Sequence, residues 1–183
     1  HLACADAPAH PLNRKQIERF RAALAALPPA PASLAATAGI ELGKEGLFDM
    51  VRPGLGLYGG NPNLERANPY STVATLNAKV IQTRHVETGE SVGYGANFTA
   101  LKPTTLAIAP MGYDDGLIRA MGADGHAAID GVRVSFAGRI SMDLVALDVT
   151  NIAAGGCRRG TEVEFLGKTI SLEEFAHAAG TIN

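Results

Sequence analysis

Hydrophobic and polar positions follow two different periods along this chain. Over residues 13–27, NRKQIERFRAALAAL, apolar side chains recur three or four apart, so that Ile17, Phe20, Ala23/Leu24 and Leu27 share one face and charged residues take the other. That spacing predicts an amphipathic helix, with Asn13 as its N-cap and Pro28-Pro29 as its stop. A short apolar run, SLAATAGI (33–40), follows. A helical turn around 44–49 and a second run, DMVRPGLGLYGG (49–60), come next. Helix, strand, helical turn and strand is the rhythm of βα units around a parallel sheet.

After Gly60 the pattern changes. NPNLERANP (61–69) has the turn-rich composition of a linker. Beyond it, strand-like runs at 72–86, 91–99, 104–111, 126–129, 132–137, 140–149 and 161–166 are separated by turn residues. Asp130-Gly131 between HAAI and VRVSF predicts a hairpin. SLEEFAHAAG (171–180) predicts a closing helix, with Ser171 and Glu174 in capping-box spacing. The second half therefore reads as mostly β, a small barrel or a sandwich.

With 183 residues the chain can build one good core or two small domains. Its net charge of −2 argues against bulk electrostatic binding to nucleic acid or to an anionic membrane, and no apolar run reaches bilayer length. Cys4 and Cys157 lie far apart without metal-ligand spacing, and read as free thiols of a reducing compartment. No signal peptide is visible, and the chain starts without Met, in what reads as the middle of an element.

Several polar residues stand where chemistry is done. The apolar run 105–111 stops at Gly112, and Tyr113, Asp114, Asp115 and Gly116 follow at once. Adjacent acids after a tyrosine suggest a metal-binding hairpin, but Tyr-Asp-Asp lacks the intervening residue of the polymerase motif, Arg119 flanks it and a third acid is missing. Two readings stay open: a solvated acidic turn, or a phenol held rigidly as proton donor or acceptor, which requires a cation nearby. In VRPGLGLYG (51–59), Arg52 ends a short apolar strand, and Gly54 and Gly56 allow close backbone approach. Thr37 and Gly39 put a hydroxyl and a glycine at another strand end, and the two loops together suit a phosphorylated ligand. In AGRISMDLVALDVT, strand alternation sets Arg139, Ser141 and Asp143 on one face and Ile140, Met142 and Leu144 on the other. Tyr94, between glycines, reads as a bulge or turn. The histidines, His1 among them, show no metal spacing and read as structural or surface.

The segments HLACAD, VRPGLGLYG, SVGYGANFTA, MGYDDGLIR and GRISMDLVALDVT, in that order, resemble alanine racemase, a pyridoxal-phosphate enzyme. The resemblance implies an α/β-plus-β architecture: residues 1–60 as the last βα units of a (β/α)8 TIM barrel, 61–69 as linker, and 70–183 as a β-rich C-terminal domain. It implies the cofactor pyridoxal 5'-phosphate, L- and D-alanine as substrates, a cytoplasmic homodimer with shared active sites, and D-alanine supply for peptidoglycan. Neither metal, nucleic acid nor membrane is implied.

By the same resemblance, Tyr113 matches the catalytic tyrosine of a Tyr-Ala-Asp-Gly turn, which works in the partner subunit's site. Arg52 matches the arginine at the pyridine nitrogen. Gly54 and Leu55 match backbone donors to the phosphate, and Thr37 stands where a serine is usual. Met142 matches the residue whose N–H meets the substrate carboxylate, and Arg139 a residue of the access channel. Asp114 replaces the usual alanine and Ala36 the usual asparagine. The family's Schiff-base lysine lies in a Lys-Ala-Asn-Ala-Tyr-Gly context that none of Lys15, Lys44, Lys79, Lys102 and Lys168 has. The expectation is a C-terminal portion of the enzyme, inactive by itself. The rivals are a non-catalytic β interaction module and a pyridoxal-dependent racemase of broader specificity.

Overall fold

The computed structural model describes residues 1–182. The chain forms two compact units, His1–Val73 and the remainder from Ala74 onward.

In the first unit, α1 spans Pro11–Ala26 and starts earlier than the expected Asn13 cap. His10 is the N-cap, its Nδ1 accepting from Leu12 N at 3.2 Å, and Pro11 presets the helical φ in the first turn. Asn13 is instead buried, and its Nδ2 donates to the carbonyls of Cys4 and Ala7, both at 3.0 Å. The chain before the helix supplies a better start than Asn13 and uses Asn13 as its brace. Ile17 and Phe20 face the core as expected, with Phe20 edge-on to Phe48 at 4.9 Å, while Leu27, just past the last turn, is exposed.

Strand β1 (Ser33–Ala36) leads directly into the short α2 (Thr37–Glu41). Strand β2 (Met50–Arg52) pairs with β1 in parallel, Ser33 opposite Met50 and Ala36 opposite Arg52, with a bulge between. A 3-10 turn, Leu55–Tyr58, follows. The linker-like stretch carries its own hydrogen bonds. Asn61 Oδ1 accepts from Asn63 N (3.1 Å), Asn63 Oδ1 from Glu65 N (3.0 Å) and Asn68 Oδ1 from Tyr70 N (2.9 Å). These are asparagine-capped turns, in which the side chain takes the place of a backbone acceptor two residues away.

The second unit is mostly β, as its alternation predicts. Strands β3 (Leu76–Lys79) and β4 (Gln82–Val86) divide the expected 72–86 element. Within the expected 91–99 run, a two-stranded ribbon of β5 (Ser91–Val92) and β6 (Phe98–Thr99) encloses a 3-10 turn at Tyr94–Ala96, where the sequence reads as a bulge or turn. Then come β7 (Thr104–Ala109), β8 (His126–Ile129), β9 (Val132–Phe136), β10 (Val145–Asp148), β11 (Glu162–Leu166) and α3 (Leu172–Ala178). The Asp130-Gly131 hairpin and the Ser171/Glu174 capping box form where the sequence puts them.

One antiparallel sheet has the order β3-β11-β8-β9-β10-β7-β4. Its two end strands are consecutive in the chain. Only Val80 and Ile81 lie between them, and Val80 N still donates to Thr161 O (2.9 Å) while Ile81 N already donates to Ile108 O (2.9 Å). Adjacent Cα atoms stand about 3.8 Å apart, so the two ends of the sheet must meet. The sheet is thus curled into a roll, although β3 and β4 do not pair with each other. Phe165, Leu117, Ile129, Leu147 and Val163 fill the interior, with Phe136 and Phe165 at 6.0 Å.

Glu164 braces the turn after β11. Its Oε1 accepts from Thr169 N (2.6 Å) and Ile170 N (3.0 Å), and a Cβ on Gly167 would stand 2.6 Å from its carboxyl carbon. Burial pushes this carboxyl's pKa up, but the N–H groups of Ile170, Thr169 and Lys168 outweigh burial and hold it below the usual value. A depressed folded-state pKa contributes stability above the unfolded pKa, and that contribution is lost as pH falls through the folded value. Glu164→Gln therefore lowers the urea midpoint at neutral pH, and the difference from the parent chain shrinks through the acid range. Urea titrations at about pH 7 and about pH 3 check this.

Candidate active site

Parallel pairing sets the C-terminal ends of β1 and β2 side by side, and the loops leaving those ends meet. Thr37, the first residue after β1, is buried. Its Oγ1 accepts from Gly54 N (3.1 Å) and Gly56 N (3.2 Å), in the loop after β2. Both lone pairs are then used, so the hydroxyl proton is left to donate. Among the described residues neither that proton nor the Leu55 N–H, which lies between the two tied amides, has an acceptor. A Cβ on Gly54 would meet nothing within 4 Å, so the loop is open on that side.

Arg52, at the end of β2, donates from Nη1 to Ser33 Oγ (2.5 Å) and from Nη2 to Leu34 O (3.3 Å). Nη2 also lies 3.3 Å from His1 Nδ1. A guanidinium has only donors, so His1 Nδ1 must accept, and the neutral ring carries its proton on Nε2. Of the five guanidinium N–H groups, two remain without a partner among the described residues. The sequence reading set His1 aside and did not single out Ser33 for its hydroxyl. Nothing local marks either, because β1–β2 pairing and the return of the first residues bring them to Arg52.

In the second unit, Tyr113 sits on a 3-10 turn, Tyr113–Asp115, just after β7. Asp115 Oδ2 accepts from Gly112 N (2.9 Å), and Gly116 closes the turn at φ 99°. Asp115 is thereby committed to the backbone and Gly116 to the left-handed region. Tyr113 N donates to Ser141 O (3.0 Å) and Asp114 N to Met142 O (3.1 Å). A Cβ on Gly112 would stand 1.9 Å from Met142 O, so only glycine lets the two turns lie backbone against backbone.

The expected strand over 140–149 is corrected to Val145–Asp148. Residues 141–144 form a turn instead, since Ser141 Oγ donates to Leu144 O (2.8 Å) and accepts from Leu144 N (3.0 Å). A serine that satisfies the backbone locally competes with the ladder. The two-face assignment of Arg139, Ser141 and Asp143 against Ile140, Met142 and Leu144 therefore falls. Met142 sits at the tip of this turn, half-exposed, and its N–H has no acceptor among the described residues.

A cation packs on the face of the Tyr113 ring. Arg119 Cζ stands 5.8 Å from the Tyr113 ring centroid. Arg139 is aligned by Asn97, whose Oδ1 accepts from Nε (2.7 Å) and Nη2 (3.1 Å) while its Nδ2 donates to Gly95 O (3.0 Å). Arg119 and Arg139 line one hollow of about 510 Å³ with Asn97, Phe98 and Phe136. Asn97 was passed over in the sequence because its partner lies forty-two residues away (139 less 97) and the ribbon turn decides its direction.

Residues 1–62 match the family alanine racemase, N-terminal domain, and residues 73–183 match alanine racemase, C-terminal domain. The chain belongs to the alanine racemase family. The alanine racemase of Rhodospirillum rubrum is 45% identical over 183 residues, which is 100% of this chain and 49% of that protein. The biosynthetic alanine racemase of Agrobacterium fabrum is 42% identical, and the catabolic one of Mesorhizobium japonicum 46%, again over 100% of this chain, with 49% and 47% of those proteins covered. A crystal structure of alanine racemase from Bartonella henselae with covalently bound pyridoxal phosphate superposes with a TM-score of 0.92 at 36% identity, covering 100% of this chain and 50% of that one. The chain thus spans about half the length of the racemases it matches.

Within this chain, the contact between the two turns is separable from the core. Gly112→Ala drives a methyl into the Met142 carbonyl and costs on the order of 3 kcal/mol. Ser141→Ala removes two half-exposed hydrogen bonds and costs about 1 kcal/mol. Urea unfolding of the two variants checks the order.

Proposed function

We propose that the complete protein carrying this chain interconverts L- and D-alanine with pyridoxal 5'-phosphate. In this reading the first unit supplies the last βα units of a (β/α)8 barrel and the second is the C-terminal β domain. The observation that carries the reading is the donor set at the paired strand ends. The Thr37 hydroxyl proton and the Leu55 N–H, neither with an acceptor among the described residues, the open face of Gly54 and the unspent N–H groups of Arg52 fit a phosphate and an aromatic nitrogen a few residues apart.

Pyridoxal phosphate, when bound, supplies the electron withdrawal that makes the α-hydrogen of an amino acid acidic. The Thr37 hydroxyl and the Leu55 N–H would hold the phosphate; the Gly54 N–H, expected to share in this, is spent on Thr37 Oγ1, so Gly54 offers only its open face. Arg52 keeps its proton and can only donate to the ring nitrogen, so the withdrawal stays moderate and simple proton return is favoured over side chemistry. Tyr113 moves a proton at its Oη on one face of the α-carbon, while Met142 N–H holds the substrate carboxylate and Arg139 guards the approach. Asp115 and Gly116 fix the turn beneath Tyr113. The second base is a lysine outside the contexts of the five present here. The enzyme is a cytoplasmic homodimer, with Tyr113 serving the partner's site. Among the described residues no helix is long and apolar enough to cross a membrane. D-alanine for peptidoglycan is the proposed use of the product, although relatives named biosynthetic and catabolic match about equally well.

The test uses two inactive variants of the complete enzyme, Tyr113→Phe and one lacking the upstream lysine. Each falls by about 10²–10⁴-fold in kcat. If Tyr113 works across the dimer, a mixed dimer has one site with both bases, and random mixing restores roughly a quarter of the parent activity. No restoration, with subunit exchange confirmed, rules out the shared site. A parent enzyme without alanine racemisation overturns the function itself.

A further inference from the structure

The segment that reads as a linker in the sequence folds back over the loop assigned to the phosphate. Two Tyr70 ring carbons, Cε1 and Cζ, stand 2.9 Å from the place a Cβ on Gly56 would take, and the Thr37 methyl stands 3.0 Å from it. The Tyr70 ring therefore fills the notch that Gly56 leaves. Asn68 fixes the approach, accepting from Tyr70 N (2.9 Å) and donating to Gly59 O (2.8 Å). A Cβ on Gly59 would stand 2.4 Å from Ser71 O, so the returning chain presses on the loop at a second point.

The phenol end of Tyr70 has a partner as well. Glu41, the last residue of α2, has a buried Oε1 with no hydrogen-bond partner in place among the described residues. A buried carboxylate oxygen without a donor is costly, and Tyr70, whose pKa this carboxylate raises, is the nearby phenol that can supply one. Burial first, then the bond to Glu41 and its charge, hold the phenol's pKa above its usual value, so the hydroxyl keeps its proton and can donate it. The frame closes on itself. Thr37 begins α2 and ties Gly54 and Gly56, Gly56 receives Tyr70, and Glu41, at the other end of α2, lies near enough to raise the Tyr70 pKa.

We propose that Tyr70 and Glu41 are positioning residues that hold the 54–56 loop in the shape that binds the cofactor phosphate. The inference rests on the cofactor reading above. Neither residue touches the ligand. Tyr70 acts through Gly56, and Glu41 through Tyr70. Because the frame shapes only the phosphate loop, its loss weakens binding of pyridoxal phosphate and leaves the unphosphorylated analogue pyridoxal unaffected.

The experiment titrates the apo form of the complete enzyme with pyridoxal phosphate and, separately, with pyridoxal, following the absorbance of the bound aldehyde. Tyr70→Ala should weaken pyridoxal phosphate about tenfold or more, with pyridoxal unchanged. Tyr70→Phe keeps the ring and loses the hydroxyl, and should give a smaller loss confined to pyridoxal phosphate. It carries the test if Tyr70→Ala does not fold. Glu41→Leu should match Tyr70→Phe, Glu41→Gln, which keeps an acceptor, should restore most of the affinity, and the double variant should be no worse than either single one. Equal weakening of both ligands would reduce the frame to a structural role and overturn the inference, as would unchanged affinity in Tyr70→Phe and Glu41→Leu. A parent enzyme that does not prefer pyridoxal phosphate over pyridoxal sinks the cofactor reading instead.

Discussion

Thr37 Oγ1 accepts two backbone amides, from Gly54 and Gly56, and the arrangement of the first unit turns on that shared oxygen. It requires Thr37 at the end of one strand and the glycine loop at the end of its neighbour, which only parallel pairing of β1 and β2 provides. It requires glycine at 56, because the methyl of Thr37 and the ring of Tyr70 occupy the space a side chain would need. It also sets the chemistry, since an oxygen that has spent its lone pairs on amides can only donate to whatever arrives next.

The second unit solves a related problem with backbone alone. The turns at 112–116 and 141–144 are joined by hydrogen bonds from Tyr113 N and Asp114 N, and Gly112 permits the approach. Each turn is also closed internally, by Asp115 in one and by Ser141 in the other. Tyr113 and Met142 are thus held at turn tips by backbone hydrogen bonds, and the Met142 N–H has no acceptor among the described residues. The curled sheet beneath them, whose end strands β3 and β4 follow one another in the chain, gives these turns a rigid base. A functional group on a short, doubly tied turn loses little entropy on binding, which is the advantage of a preorganised site.

Much of this was legible in the order of residues. The period of α1, the Asp130-Gly131 hairpin, the Ser171/Glu174 capping box and the mostly β second half are local properties, and local spacing dictates them. The chemical residues stood out for the same reason, as hydroxyls, glycines and an arginine at the ends of apolar runs, and the resemblance to alanine racemase rests on short segments whose residues are themselves the signal. Where the local rules failed, a longer-range contact had taken over a residue. Asn13 could cap a helix, but the preceding turn claimed its amide. Residues 140–144 alternate like a strand, but Ser141 closed them into a turn docked on Gly112.

The sequence by itself determined most of the elements, the family and the identities of the candidate site residues, because helix periodicity, turn chemistry and short motifs are properties of neighbouring residues. Only the tertiary structure decided the partners: His1 and Ser33 on Arg52, Asn97 on Arg139, Arg119 over Tyr113, and Tyr70 in the notch of Gly56. All of these except Arg119 and Tyr113, six residues apart, join residues fourteen or more positions apart in the chain. Their meeting depends on strand register, the curl of the sheet and the path of the returning chain, and no local pattern of hydrophobic and polar residues encodes those.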